Sequence, residues 1–192
     1  MTTLKGLILA GGKSSRMGKD KGLLPLHGLP LRISLYQTLR QAGLTDVYIS
    51  CREDQLPDLG HFPGIVDIFP DTGPLGAILS AFEKDPTSAW LVLACDMPLI
   101  QVETIRQLIA ARNPAKAATV FSDESGNLQP LAAIWEPAIF PTAQSVFFTQ
   151  NRSPRKVLLQ STIHLIFPQN PQDLTNINDP EALARIKKKL QD

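Results

Sequence analysis

Two clusters in this 192-residue chain combine residue types that could handle phosphate. The first is Leu9-Ala10-Gly11-Gly12-Lys13-Ser14-Ser15-Arg16-Met17-Gly18-Lys19-Asp20-Lys21, which continues an apolar run. Two adjacent glycines after a strand let backbone N–H groups turn inward and approach an anion closely. Serines, Arg16 and three lysines follow at once, and the loop leaves the carboxyl end of a strand, where open α/β sheets bind ligands. The dinucleotide pattern Gly-x-Gly-x-x-Gly fails, because Lys13, Ser14 and Ser15 follow Gly11-Gly12. The P-loop pattern fails too: the spacing from Gly12 to Gly18 is one residue too long, and Asp20 stands where a Ser or Thr must bind magnesium.

The second cluster is Leu91-Val92-Leu93-Ala94-Cys95-Asp96-Met97-Pro98. One carboxylate at the end of a buried strand suits a magnesium held otherwise by substrate phosphates and water. An aspartate ahead of Pro98 could equally be a turn or N-cap residue. Between the clusters lies Asp67-Ile68-Phe69-Pro70-Asp71-Thr72-Gly73-Pro74-Leu75-Gly76, in which Asp71 reads as a cap or turn residue. Gly73 and Gly76 permit close approach of a ligand, and helix–sheet packing explains them as well. Further on, Asn176 and Asn178 stand at i and i+2, facing one side if extended; they also fit turn formers leading into an N-cap. Asn151-Arg152-Ser153-Pro154-Arg155 reads as a mobile basic surface loop, with Arg152 and Arg155 open to an anion or simply solvated.

The elements that must position these residues follow from hydrophobic patterning. Short apolar runs alternate with helical periodicity, which predicts an α/β fold. Strands are expected at Leu4–Ala10, Val47–Ser50, Ile65–Ile68, Trp90–Ala94 and Ile163–Phe167. Helices are expected from Pro30 to Ala42, stopped by Gly43, then over Leu75–Phe82 and Val102–Ala111. Ala117–Phe121 and Leu131–Trp135 flank a run of turn formers and read as a hairpin-like insertion on a sheet edge. Pro137–Leu159 reads as a proline-broken helical stretch, and Asp179-Pro180-Glu181 as a helix start. The predicted architecture is one domain, a three-layer αβα sandwich on a mostly parallel Rossmann-like sheet, with no internal boundary.

Composition narrows the function. Hydrophobic residues make up 43% and charged residues 19%, with a net charge of +1. That balance argues against a nucleic-acid protein, which binds through a general basic face. No apolar run approaches the ~18 residues of a membrane helix, and Leu7–Ala10 is too short for a signal peptide. Cys51 and Cys95 form no Cys-x-x-Cys pair, fitting a reducing, cytoplasmic setting. His27, His61 and His164 are scattered, which weighs against a zinc enzyme.

The run from Leu9 to Lys21, Leu-Ala-Gly-Gly-x-Ser-x-Arg-Met-Gly-x-Asp-Lys, resembles the signature of the molybdenum cofactor guanylyltransferases. These belong to a nucleotidyltransferase superfamily with a glycosyltransferase-A-like α/β fold. The resemblance implies a loop that wraps a nucleotide triphosphate, with Lys21 on its phosphates. It implies nucleotide contacts from Leu9, Ala10, Gly11, Gly12, Ser50, Asp67 and Asp96, with Asp96 as the Mg²⁺ ligand. Asp67 would read the base or the ribose. Ser50 departs from the pattern, since the family often has Asn after this strand. Asn127-Leu128-Gln129-Pro130-Leu131, Asn151–Arg155 and Asn176-Ile177-Asn178-Asp179-Pro180-Glu181 also resemble family segments, implying acceptor contacts from Gln129, Arg152, Arg155, Asn176 and Asn178. Residues 1–100 would form a nucleotide-binding half and 101–192 an acceptor-binding half.

The implied reaction moves GMP from GTP to the phosphate of molybdopterin, with Arg16, Lys21 and Asp96 as the catalytic groups. Sister cytidylyltransferases usually open with Ala-Ala-Gly and lack the Asp before Lys, so Gly11-Gly12 and Asp20-Lys21 favour guanine. A cytidylyl- or sugar-nucleotidyltransferase of the same superfamily, or a catalytically idle nucleotide-binding protein, are the alternatives. The resemblance further implies contacts with a molybdenum-insertion protein and molybdoenzyme chaperones.

Overall fold

A computed structural model describes residues 2–12, 21–26, 28–123 and 125–177. The strands are β1 (Leu4–Leu9), β2 (Pro25–Leu26), β3 (Leu29–Pro30), β4 (Val47–Cys51), β5 (Gly64–Val66), β6 (Ala89–Ala94), β7 (Ala118–Ser122), β8 (Leu128–Trp135) and β9 (Ile163–Ile166). The helices are α1 (Leu31–Gln41), α2 (Pro74–Lys84), α3 (Val102–Ala110), α4 (Phe140–Phe147) and α5 (Pro154–Leu159). Seven strands form one sheet in the order β5-β4-β1-β6-β8-β7-β9, and β2 pairs only with β3.

Period-two alternation explains how the central strands are buried on both faces. In β1, Ile8 joins one core while Leu7 joins the other; in β6, Leu91 and Leu93 face one core while Trp90 and Val92 face its opposite. Helices α1 and α3 supply Leu35, Leu39, Ile105 and Leu108 to the first core. Helices α2, α4 and α5 supply Leu75, Ile78, Phe82, Val146 and Val157 to the second. This is the expected three-layer sandwich. The sheet is mostly parallel, because β8 alone runs against its six companions.

Local signals placed most elements well. Gly43, at φ 107°, ends α1 as expected. The segment after Pro137 splits into a 3-10 turn, α4 and α5, with Pro141 and Pro154 each in the first turn of its helix. Two expectations need correcting. The β7–β8 hairpin is not on the sheet edge: β8 pairs with β6 (Leu93 opposite Ala132) and β7 pairs with β9, so the hairpin sits inside the sheet. Ala132, Ala133, Ile134 and Trp135 are fully buried or nearly so, which an edge would not permit. Strand β5 also ends at Val66, short of Ile68. There the Ile68 N–H donates to Ser80 Oγ at 3.0 Å and the Phe69 N–H to Asp67 Oδ1 at 2.9 Å, so side chains take the donors that a longer strand would offer. The helix expected at Asp179 lies outside the described residues.

A buried ion pair joins the segment after α3 to the residue that follows β8. Arg112 Nε and Nη2 donate to the two carboxylate oxygens of Glu136 at 2.6 and 2.8 Å, and Nη1 donates to the Thr2 carbonyl at 3.0 Å. Glu136 is 2% exposed, so a paired guanidinium is what makes its charge tolerable there.

Candidate active site

Parallel pairing brings three strand ends together. Leu9 stands opposite Ser50 on β4 and opposite Ala94 on β6, so the chain leaves all three strands at one edge. Two hydrogen bonds prolong this alignment past the strands: Ala10 N–H to the Ser50 carbonyl at 3.1 Å, and Cys95 N–H to the Leu9 carbonyl at 3.2 Å. Gly11-Gly12 therefore emerges between Ser50–Arg52 on one side and Cys95-Asp96 on the other. Gly11 lies against the backbone of Cys51 and Arg52, with a Cβ position 3.4 Å from the Cys51 carbonyl carbon. No described residue other than its chain neighbours lies within 4 Å of the Cβ position at Gly12.

Asp96 follows the all-buried β6, and its Oδ1 is enclosed. The Ile177 N–H donates to the Asp96 carbonyl at 2.7 Å. This bond sets Asn176 beside the same strand end, with its Oδ1 buried and unpartnered among the described residues. The segment is held from behind by Asp173, which is 5% exposed and accepts from Thr104 Oγ1 on α3 and from Asn170 Nδ2 at 2.6 Å. Sequence reasoning missed Asp173. Its signal was weak, a Pro171-Gln172-Asp173-Leu174 turn with one apolar anchor.

Asp67 also reaches this edge, its N–H donating to the Cys51 carbonyl at 2.9 Å. Its carboxylate is engaged locally. Oδ1 accepts from the Phe69 N–H and lies 3.0 Å from Ser80 Oγ, whose single proton is shared with the Gly76 carbonyl at 2.9 Å. Burial pushes the Asp67 carboxyl above its usual range, more than these bonds pull it down. Asp71 adopts φ 60° and is a turn residue, as expected. Gly73, at φ 73°, is demanded by the turn into α2. Gly76 answers to packing: a Cβ there would stand 2.0 Å from Thr72 Oγ1 and 3.0 Å from the Phe69 carbonyl.

Ser50 is fully buried, and its Oγ has no partner among the described residues. Gln129 lies near the start of β8; continuing the register that pairs Leu93 with Ala132 carries it out alongside the segment bearing Asp96. Arg152 is not loose, since its Nε donates to the Phe147 carbonyl at 3.0 Å and its guanidinium lies 5.0 Å over the Phe147 ring. Phe147 in turn packs at 4.8 Å on Phe69, two residues beyond Asp67, which links the basic segment to the same edge. Arg155 is exposed on α5. Lys21 opens a 3-10 turn ahead of β2, but its side chain, like Arg16 and Asn178, lies outside the described residues. Among the described residues no group of three His, Cys, Asp or Glu could hold a metal ion. Asp96 brings a carboxylate to this strand end.

A glycine loop, one enclosed carboxylate and a return of the C-terminal segment meet at the carboxyl edge of a parallel sheet. The relatives of this chain show the class of enzyme to which the arrangement belongs, the nucleotidyltransferases. The chain belongs to the family of MobA-like NTP transferase domains, whose model matches residues 6–164. It is 34% identical over 191 residues to the molybdenum cofactor biosynthesis bifunctional protein of Synechocystis sp., covering 96% of this chain. The chain spans only 54% of that relative's length. It is 31% identical over 182 residues to a molybdenum cofactor guanylyltransferase of Pseudomonas putida, covering 92% of this chain and 94% of that one. A crystal structure of molybdopterin-guanine dinucleotide biosynthesis protein A from Archaeoglobus fulgidus shares the fold, with a TM-score of 0.83 at 18% identity over 97% of this chain and 98% of that one.

Proposed function

We propose that this protein transfers GMP from GTP to the terminal phosphate of molybdopterin, releasing pyrophosphate. The observation that carries the reading is the convergence of Gly11-Gly12, Asp96 and Asn176 at one sheet edge, through the Leu9–Cys95 and Asp96–Ile177 hydrogen bonds. A phosphate oxygen of the acceptor forms a bond to the α-phosphorus of GTP. The bond from that phosphorus to the bridging oxygen breaks, and the electron pair leaves with pyrophosphate. The attacking phosphate is already anionic at neutral pH, so no strong general base is required. The obstacle is charge, as one anion approaches a polyanion.

This chain's residues would answer that obstacle in parts. The Gly11-Gly12 amides, with Lys21 and Arg16, hold the triphosphate and steady the leaving pyrophosphate. Asp96 would hold Mg²⁺, whose charge screens the phosphates when bound. Its single carboxylate fits an ion that keeps most of its shell from substrate and water. Ser50 Oγ, buried and without a described partner, is a hydroxyl with hydrogen-bonding capacity left beside the nucleotide loop. Asp67 would receive the base or ribose through the oxygen its own turn does not use.

Gln129, Asn176 and Asn178, with Arg152 and Arg155, would face the acceptor. That division makes residues 1–100 the nucleotide half and 101–192 the acceptor half. Cys51 and Cys95, neither in a disulfide, suit a cytoplasmic setting, where a molybdenum-insertion protein and molybdoenzyme chaperones would be the partners.

The test is a competition among GTP, CTP, ATP and UTP at equal concentration, with Mg²⁺ and molybdopterin. Guanine offers N1–H and N2–H₂ donors, and a site built on such bonds can reject a base lacking them by ~10⁴-fold. GTP is expected to dominate the product. Equal or better use of CTP would replace the guanylyl assignment by a cytidylyl one, and no pyrophosphate release with any nucleotide would favour an idle nucleotide-binding protein.

A further inference from the structure

Arg52 follows β4 and reaches across to the glycine loop. Its Nη1 donates to the Gly11 carbonyl at 3.1 Å, a contact between residues 41 apart in sequence. The guanidinium is held in place, with Nε and Nη2 donating to the two oxygens of Asp54 at 3.0 and 3.1 Å. Its backbone is held too, the Arg52 N–H donating to Gln55 Oε1 at 2.9 Å.

The consequence lies in the next amide. A trans peptide is planar, so the N–H of Gly12 points opposite to the C=O of Gly11. β1 lies between β4 and β6. A Gly11 carbonyl drawn toward Arg52, on the β4 side, turns the Gly12 N–H toward the β6 side, where Asp96 follows its strand. Among the described residues, its own chain neighbours aside, nothing lies within 4 Å of the Cβ position at Gly12. We propose that Arg52 is a positioning residue: by gripping the Gly11 carbonyl it aims the Gly12 amide at the nucleotide's phosphates. The role rests on the nucleotidyl-transfer reading, though not on the choice of base.

The experiment measures binding of pyrophosphate and of each nucleoside triphosphate, with Mg²⁺, by calorimetry. Arg52→Met keeps the apolar stem and removes the donors; Arg52→Lys keeps one donor for the Gly11 carbonyl. Arg52→Met is expected to weaken pyrophosphate and GTP alike by about tenfold, the effect of one well-aimed amide. Arg52→Lys is expected to stay within about threefold of wild type on the same scale. In turnover the KM for nucleotide rises while that for the acceptor stays put, a split that general loosening of the fold would not produce. Unchanged pyrophosphate affinity in Arg52→Met overturns the proposal, and so does a loss seen with a triphosphate but not with pyrophosphate. If Arg52→Met does not fold, Asp54→Asn, which loosens the clamp, takes its place. About threefold weaker pyrophosphate binding there supports the role, and wild-type affinity overturns it. A wild-type protein that binds pyrophosphate and CTP but not GTP would sink the guanylyl assignment and leave Arg52 to be judged on CTP.

Discussion

The amide of Ile177 and the carbonyl of Asp96 are joined at 2.7 Å, binding the C-terminal end of the described chain to the strand end that carries the site's central carboxylate. The bond is between backbone groups, so it survives any change of the Asp96 side chain. It also ties the placement of Asn176 to a strand end far away in sequence.

Asp96→Asn is therefore expected to fold normally while losing turnover. The enclosed oxygen is replaced by an uncharged group of the same shape, and the Ile177 bond stays. Loss of a transition-state electrostatic contact commonly costs ~10²–10³ in rate. Steady-state assays with GTP, Mg²⁺ and molybdopterin, beside a thermal melt, measure both halves. Activity within a few-fold of wild type in a folded variant would take Asp96 out of the mechanism.

Asp173→Ala removes the anchor behind Asn176. Thr104 Oγ1 and Asn170 Nδ2 both lose their acceptor. A buried donor left unpaired costs about 1–3 kcal/mol, and the melting temperature should fall accordingly. GTP affinity should change little, while the KM for the acceptor rises. A variant whose GTP binding collapses along with acceptor use would mean that Asp173 supports the whole sheet edge rather than the returning segment.

Asp67→Asn separates stability from binding. Burial raises the Asp67 carboxyl above its ordinary 3.8, so the folded state holds the proton more readily than the unfolded chain. Stability from this group is full below the ordinary value and is lost as pH climbs through the raised one. Asparagine keeps an acceptor for Phe69 and Ser80 without the buried charge. Urea denaturation across that window should show the variant gaining on wild type as pH rises. Its nucleotide affinity should fall: for GTP alone if Asp67 reads the base, and for all four nucleotides if it holds the ribose. A stability difference that does not move with pH would deny the burial of a charge at this position.

Arg112→Ala leaves Glu136 charged at 2% exposure with its guanidinium gone. Breaking one side of such a pair costs about 3–5 kcal/mol, and replacing both partners by apolar residues should recover much of it. The double variant Arg112→Met with Glu136→Met, measured beside each single change in urea, tests this. A single variant within about 1 kcal/mol of wild type would show that water reaches Glu136 when the arginine is removed.

What the chain settles by itself is what neighbouring residues decide together. Near-continuous apolar runs mark β1 and β6 as buried on both faces, and Gly43 and Pro154 mark helix ends through backbone geometry. Gly11-Gly12 and Asp96 stand just past the ends of β1 and β6 because a glycine pair and a carboxylate after an apolar run are local patterns. Strand order is not local. Nothing in Leu128–Trp135 states that it pairs antiparallel to β6 rather than lying at the rim, because a period-two pattern specifies which face a residue takes and not which strand lies beside it. The grip of Arg52 on Gly11, the ion pair of Arg112 with Glu136 and the return of Asn176 to Asp96 are likewise fixed only when the layers close, since each joins groups at least 24 residues apart through a contact that no run of neighbours encodes.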